Sequence, residues 1–140
     1  MSDKFFLDTN IFVYSFDRNA VAKSRKADEL ILRALTTQKG MVSYQVVQEF
    51  FNVALRRFAP PMSLVDAQQY LGTVFRPLLS VHSSPALYVE ALQLRDRAAL
   101  SWYDSLIVVA ALQAGCDLLL TEDLQHGQRF GSLQIANPFL

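Results

Sequence analysis

Short apolar runs alternate along this chain with longer stretches in which apolar residues recur every three or four positions. Residues 4–8 form the first short run, which predicts a strand, and residues 10–16 then predict a short helix. In residues 21–38 the apolar positions follow helical spacing and charged residues occupy the other side, which predicts an amphipathic helix. Gly40 marks the predicted end of that helix.

Capping residues and prolines divide the rest of the chain. A short apolar run at 41–43 predicts a strand, and Ser43 predicts the start of a helix that reaches about Phe58, before Pro60 and Pro61. The remaining predicted elements are a helix from Ser63 to about Phe75 before Pro77, a strand over 78–81, a helix from Ser84 to about Arg97, a helix from Ser101 to about Gly115, and strands over 117–121 and 133–136.

This order of elements predicts the fold class. Strands that alternate with helices favour a mainly parallel central sheet with helices on both faces, which is a three-layer α/β/α arrangement. The chain has 140 residues, of which 51% are hydrophobic, so it is long enough and apolar enough to form one domain over 1–140 with a real core.

Four acidic residues occupy positions where such a sheet would present a binding site. Asp8 and Asp123 follow the first and fourth predicted strands, Asp104 lies at a helix start, and Glu49 lies about two turns after the Ser43 cap. Ligands bind beyond the carboxyl ends of parallel strands, so all four can converge there. No basic residue adjoins any of them, and the pattern therefore predicts one shared cation site.

Four neighbouring polar residues are candidates for orienting these carboxylates: Thr9, Asn10, Ser105 and Thr121. Local capping explains each of them equally well. Taken singly, three of the acids also fit turn or cap positions, and Glu49 fits a solvated helix face. Glu122 adjoins Asp123 and is predicted to be a surface acid that points elsewhere.

Charge and cysteine content exclude few kinds of partner and few cell compartments. Thirteen basic and thirteen acidic residues give a net charge of zero, but four acids neutralised by divalent cations would leave a surface that is basic by about four charges. Arginine pairs such as Arg56 with Arg57 are candidates for phosphate contact, although solvated helix faces explain them as well. Cys116 is the only cysteine, and no leader or membrane segment is evident, so a cytosolic location is expected.

The four acidic motifs together resemble those of the PIN-domain ribonucleases, and the similarity extends from about residue 4 to 140. The segments that carry it are Phe6 to Asn10, Gln48 to Phe51, Tyr103 to Leu112, Leu120 to Gly127 and Ile135 to Phe139. Small members of this family in bacteria and archaea are mostly toxins of the VapC type. The resemblance implies an endoribonuclease that depends on Mg²⁺ or Mn²⁺, a homodimer, and an antitoxin partner.

Phosphodiester hydrolysis with a divalent cation explains why carboxylates are the required residue type. Magnesium prefers oxygen ligands and keeps several waters, so no histidine or cysteine cluster is needed. Asp8 and Asp104 are the first candidates for direct or water-mediated ligands. Asp123 and Glu49 would complete the cluster, hold water or position the nucleophile, and the sequence does not rank these roles.

Two other functions fit the same residues. One is a phosphatase or DNA nuclease with the same carboxylate chemistry, and the other is a catalytically silent module that binds RNA or a protein. Retention of all four acids weighs against the silent module. A haloacid-dehalogenase-like phosphatase is disfavoured because Asp8 is not followed by a second Asp two residues later.

Overall fold

The computed structural model describes residues 2–140, which form a six-stranded sheet flanked by helices. The strands are β1 (Phe5–Leu7), β2 (Gly40–Ser43), β3 (Leu79–Val81), β4 (Leu118–Leu120), β5 (Arg129–Phe130) and β6 (Leu133–Ala136). The helices are α1 (Thr9–Tyr14), α2 (Val21–Thr37), α3 (Tyr44–Ala54), α4 (Leu64–Tyr70), α5 (Arg76–Leu78), α6 (Pro85–Ala98) and α7 (Trp102–Gln113), with a π-helical segment at Leu71–Phe75. No helix within residues 2–140 is long and apolar enough to cross a membrane.

The strand order across the sheet is β3-β2-β1-β4-β6-β5, and only β5 runs antiparallel to its neighbour. The mainly parallel sheet and the flanking helices confirm the predicted three-layer fold. From β1 the chain proceeds outward to β2 and β3, and it then returns to the other side of β1 as β4. The direction of winding therefore reverses between β1 and β4, and the carboxyl ends of these two strands open a crevice suited to a ligand.

Buried apolar residues fix the strands and helices around this crevice. All three residues of β1 are buried, and β1 pairs with β4 in a register that places Leu7 opposite Leu120. Every residue from Ser105 to Ala111 of α7 is buried, as expected for a helix that is apolar on all sides. The segments that carry Asp8 and Asp104 are thus held by the core on both sides of the site.

Capping predicted most helix starts correctly. The Oγ atoms of Ser63, Ser84 and Ser101 accept from the backbone N–H three residues later, at 3.1 Å in each case. Some elements differ from what the sequence predicted. Helix α3 ends at Ala54 rather than near Phe58, because residues 55–60 form turns. The short strand β5 was not predicted, because two residues carry too little pattern.

Pro77 does not end its helix, contrary to the sequence prediction. The chain continues from α4 through the π-helical segment into α5, which contains Pro77. The N–H of Arg76 donates to the carbonyl of Leu71, five residues earlier, so this turn is wider than an α-helical turn. A wider turn accommodates a proline ring that would otherwise meet the carbonyl four residues before it.

Gly40 also differs from its prediction, because it begins β2 and does not terminate α2. Helix α2 ends at Thr37, and Gln38 adopts the left-handed conformation that follows it. A Cβ atom on Gly40 would lie 2.1 Å from the Cβ of Ala34 and 2.6 Å from its Cα. The absence of a side chain therefore lets the start of β2 approach α2 closely.

We expect Gly40→Ala to lower the free energy of unfolding by about 1–3 kcal/mol, because backbone would have to move to relieve the overlap. Chemical denaturation monitored by circular dichroism measures this change. Gly72→Ala is the matched control, because no heavy atom lies within 4 Å of a Cβ built at Gly72. Equal stability of both variants would show that the contact between α2 and β2 relaxes without cost.

Candidate active site

The carboxyl ends of β1 and β4 border a cleft of about 400 Å³ into which all four predicted acids face. These are Asp8, Glu49, Asp104 and Asp123. The other lining residues are Thr9, Asn10, Val13, Tyr14, Gln45, Val53, Tyr103 and Ile107. No Lys, Arg, His or Cys of residues 2–140 lines the cleft, so its ligand atoms are mostly oxygens.

Asp8 is the only buried acid of residues 2–140, with 6% of its surface exposed. Its Oδ2 accepts from the Thr121 hydroxyl at 2.8 Å, and its Oδ1 accepts from the Thr9 N–H at 2.7 Å. Burial, with smaller contributions from the carboxylates of Asp123 and Glu49, raises the pKa of Asp8 to about 7 against the effect of these hydrogen bonds. The site therefore holds a carboxylate that is difficult to ionise without a compensating charge.

Glu49 is held at the cleft by hydrogen bonds and does not lie on a solvated helix face. The Thr9 hydroxyl donates to its Oε1 at 2.8 Å, and the Gln45 amide donates to its Oε2 at 3.4 Å. Gln45 is itself 4% exposed, and it also donates to the carbonyl of Tyr103 at 3.3 Å. This amide links α3 to the start of α7, which carries Asp104.

Asp104 and Asp123 complete the acidic wall. Asp104 lies in the first turn of α7, where its N–H donates to the Ser101 hydroxyl. Asp123 accepts from the side-chain amide of Asn10 at 3.2 Å. Partial burial raises the pKa of Asp123, and the neighbouring Asp104 carboxylate raises it further. The two carboxylates are therefore close enough to repel each other.

Three of the four polar residues predicted to orient carboxylates contact one in the structure: Thr9, Asn10 and Thr121. The Thr121 hydroxyl also accepts from the N–H of Asp123 at 3.1 Å, so one side chain links two of the acids. Ser105 is different, because its buried hydroxyl donates to the carbonyl of Ser101 at 2.8 Å. Ser105 therefore bonds within its own helix and contacts no carboxylate.

The charges of the four acids are not balanced by protein cations. Neither of the two salt bridges within residues 2–140 involves any of them. The buried Oδ1 of Asn10 also has no hydrogen-bond partner, which is unusual for a buried acceptor. Unbalanced carboxylates that face one cleft fit a hard divalent cation.

The side chains do not form a complete set of ligands around one metal ion. Within residues 2–140 no three acidic, histidine or cysteine side chains are grouped closely enough to bind one ion together. A cation that keeps several of its waters and takes one or two carboxylates directly fits this open arrangement. Magnesium and manganese accept such a shell, whereas a four-ligand structural zinc site does not.

A comparison with protein-family models decides the family. The model of the PIN domain matches residues 5–129, which is most of the chain. The chain belongs to the PIN domain family. This match confirms the resemblance to the PIN-domain family that the four acidic segments indicated. No curated protein matches the PIN chain by sequence.

Solved structures of similar shape confirm the fold of this PIN domain. A toxin–antitoxin complex from Klebsiella pneumoniae superposes with a TM-score of 0.67 at 17% identity, covering 96% of this chain and 98% of the other. VapBC2 from Rickettsia felis, bound to a DNA fragment from its promoter, superposes with a TM-score of 0.60 at 20% identity, covering 95% of this chain and 97% of the other. VapC20 from Mycobacterium tuberculosis, a toxin that cleaves the sarcin–ricin loop, superposes with a TM-score of 0.56 at 19% identity, covering 83% of this chain and 87% of the other.

Glu122 does not line the cleft, as predicted, but it is partly buried and paired and is not a simple surface acid. Its carboxylate accepts from the Tyr14 hydroxyl and from the Lys23 ammonium, the latter at 3.0 Å. The Lys23 ammonium also donates to the Tyr14 hydroxyl at 3.2 Å and lies 4.6 Å from the centre of its ring. These contacts fasten the loop that carries Asp123 to α1 and α2.

Sequence reasoning missed Gln45 as a residue of the PIN site, although the spacing contains a signal for it. Gln45 precedes Glu49 by four residues, so the two share one helix face. The amide of Gln45 contacts the Glu49 carboxylate. A search for polar partners one helical turn from each candidate would have found it.

Proposed function

We propose that this PIN domain is a Mg²⁺- or Mn²⁺-dependent endoribonuclease that hydrolyses RNA phosphodiester bonds. The observation that carries the proposal is the single cleft lined by four carboxylates without a cationic partner among residues 2–140. Such a site repels a phosphate when it is empty and attracts one when a cation fills it. Its chemistry therefore depends on the cation.

The residues of the chain supply position and hydrogen bonds in this proposal. Asp8 and Asp104 would hold the cation, and Asp123 and Glu49 would accept hydrogen bonds from the attacking water. Thr9 fixes Glu49 by a hydrogen bond, as described above, and so limits its rotation. A bound divalent cation supplies Lewis-acid polarisation of the phosphate and lowers the pKa of a coordinated water.

Two observations favour a nuclease over the alternatives. A silent binding module has no need of a buried carboxylate, and Asp8 carries a large desolvation penalty that a purely structural residue would avoid. The cleft is open, and Tyr103 at its edge is 63% exposed, which leaves room for a polymer that extends beyond it. The choice of RNA over DNA rests on the family resemblance and on the RNA-cleaving toxin of similar fold.

The direct test is cleavage of labelled single-stranded RNA by the purified chain in Mg²⁺, in Mn²⁺ and in excess chelator. We expect internal cuts in either metal and none in chelator, since the carboxylates would otherwise repel the phosphate. A DNA strand of the same sequence is the control and should remain intact. Metal-independent cleavage, or preferential cleavage of DNA, would contradict the proposal.

We further propose that the protein is a cytosolic toxin that a cognate antitoxin inhibits. Two of the similar structures are toxin–antitoxin complexes. A basic side chain of the antitoxin, most suitably arginine, would pair with Asp8 and Asp104 and compete with the cation. Expression of the chain alone should then slow growth, and coexpression of the antitoxin should restore growth. With the purified complex, saturating metal should weaken binding of the antitoxin.

A homodimer is also proposed, and exposed apolar residues on the outer helices support it. Leu64 and Val65 of α4 are 72% and 71% exposed, and Leu92 of α6 is 57% exposed. The exposure of Leu64 and Val65 excludes a role for them in the core. Covering such side chains in a dimer would remove apolar surface from water.

A further inference from the structure

A second cleft adjoins the acidic one. It has a volume of about 640 Å³ and lies between the end of α1 and the turns that follow α3. Val13 and Val53 line both clefts, so the two lie next to each other. A chain molecule bound at the carboxylates would reach the second cleft by passing these two side chains.

The charge of the second cleft is opposite to that of the first. Arg18 and Arg57 line it, and both are exposed. Neither forms a salt bridge within residues 2–140. The one acid in the lining, Asp17, accepts from the N–H of Asn19 at 3.0 Å and so holds the turn that follows α1.

Two aromatic rings form the apolar part of the second cleft. Phe16 and Phe58 both line it, and their ring centres are 5.3 Å apart. Phe16 is 40% exposed although it also packs against Tyr70. A large aromatic ring that is supported on one side and open on the other can stack on a nucleobase.

We propose that the second cleft is a nucleotide subsite that binds single-stranded RNA beside the scissile phosphate. Arg18 and Arg57 would contact backbone phosphates, and Phe16 would stack on a base. This inference rests on the proposed endoribonuclease function, because the acidic cleft must hold the scissile phosphate for the neighbouring cleft to be a subsite.

The alternation of charge favours RNA as the occupant. A polyanion that enters an acidic site is stabilised by cations nearby, and the two arginines supply them in the adjoining cleft. Arginine binds phosphate through several donors at once. Open aromatic surface beside a basic groove is the combination that single-strand binding proteins use without strong sequence preference. A partner protein is the competing occupant, and the experiment below separates the two.

The test measures RNA affinity in the Asp104→Asn background, so that the probe is not cut. A fluorescent single-stranded RNA of about ten nucleotides is titrated at several salt concentrations and followed by anisotropy. Arg57→Ala should weaken binding about tenfold and reduce the slope of log affinity against log salt by about 0.7. Arg56→Ala is the matched control, because Arg56 is adjacent and exposed but lines neither cleft.

Two further variants extend this test. Arg18→Ala should match Arg57→Ala in both affinity and salt slope. Phe16→Leu keeps an apolar side chain but removes the ring, and it should weaken binding about tenfold with an unchanged salt slope. Circular dichroism checks that each variant is folded.

In the otherwise wild-type chain, Arg57→Ala should raise KM for RNA cleavage and leave kcat nearly unchanged, because the contact is remote from the reacting phosphate.

Equal RNA affinity of the Arg56 and Arg57 variants would overturn the subsite. Weaker antitoxin binding without weaker RNA binding would overturn it in favour of a protein occupant. If RNA binding depends on Arg57 but the wild-type chain cleaves no RNA, the cleft is an RNA site and the endoribonuclease proposal has failed.

Discussion

Replacing Asp104 by asparagine is expected to reduce RNA cleavage by at least about a hundredfold. Changes to groups that merely support a metal ligand cost about 10–100-fold, and Asp104 would be a ligand itself. The fold should be unchanged, since the hydrogen bond at this helix start joins the backbone N–H of Asp104 to Ser101 Oγ and survives the substitution. Initial rates of RNA cleavage in Mg²⁺ and the circular dichroism spectrum test the two parts of this expectation.

Asp66→Asn is a control that has the same local structure. Asp66 lies in the first turn of α4, and its N–H donates to Ser63 Oγ at 3.1 Å, as Asp104 does to Ser101. Asp66 is exposed and lines neither cleft. If both variants retain full activity in nuclease-free preparations, Asp104 is only a helix-start acid and has no part in catalysis.

Asp8→Asn is expected to stabilise the metal-free protein while it abolishes activity. The pKa of Asp8 rises from 3.8 to about 7 in the folded protein, chiefly because of burial. This difference of roughly three pH units corresponds to about 4 kcal/mol for ionisation in the folded state. Asparagine carries no charge, and it can still accept from Thr9 and bond to Thr121 if that hydroxyl rotates.

The sign of the pH dependence follows from which state keeps the proton. Between pH 4 and pH 7 the unfolded chain releases the Asp8 proton and the folded chain keeps it, so unfolding becomes more favourable as pH rises. The wild type should therefore lose up to about 4 kcal/mol across this window in chelator, and this contribution should level off above pH 7. The Asp8→Asn variant should lack this decline, and at pH 8 it should melt on the order of 10 °C higher than the wild type.

Divalent cations should narrow the difference in stability between the two proteins. A cation that binds only the folded state stabilises it by about 2.7 kcal/mol at one hundred times its dissociation constant. The wild type should gain most of this stabilisation from Mg²⁺ or Mn²⁺, and Asp8→Asn should gain less. Asp96→Asn, a change of an exposed acid on α6, is the control and should follow the wild type. Identical metal responses of all three proteins would exclude a shared cation site at Asp8.

The fold was largely predictable because helix caps and apolar runs are local signals. The serines at 63, 84 and 101 located three helix starts, and short apolar runs located all five longer strands. The errors arose where distant contacts decide local structure. Gly40 is required by the proximity of Ala34, and Pro77 is tolerated because the preceding turn is widened. The pattern of residues along the chain shows neither the contact with Ala34 nor the widened turn.

The acids of the site were predictable from their position in the sheet, but most of their partners were not. Parallel strands bring Asp8 and Asp123 together whatever the intervening sequence is. The hydrogen bond from Thr9 to Glu49 spans 40 residues, and that from Tyr14 to Glu122 spans 108. Such pairs depend on how helices pack on the sheet, and spacing within one element does not specify them.

The burial of α7 on all sides has a consequence for how the site opens. Amides in fully buried helices become free to exchange only when the whole domain unfolds, whereas loops and helix ends open separately at lower free energy. Asp104 lies at the start of this helix, immediately before the continuous buried run that begins at Ser105. The helix that follows Asp104 is therefore tied to global unfolding, whereas Asp104 itself lies in the first turn, which can open separately. Opening of this turn would relieve the repulsion between the acids without unfolding the domain, and a bound cation would oppose that opening.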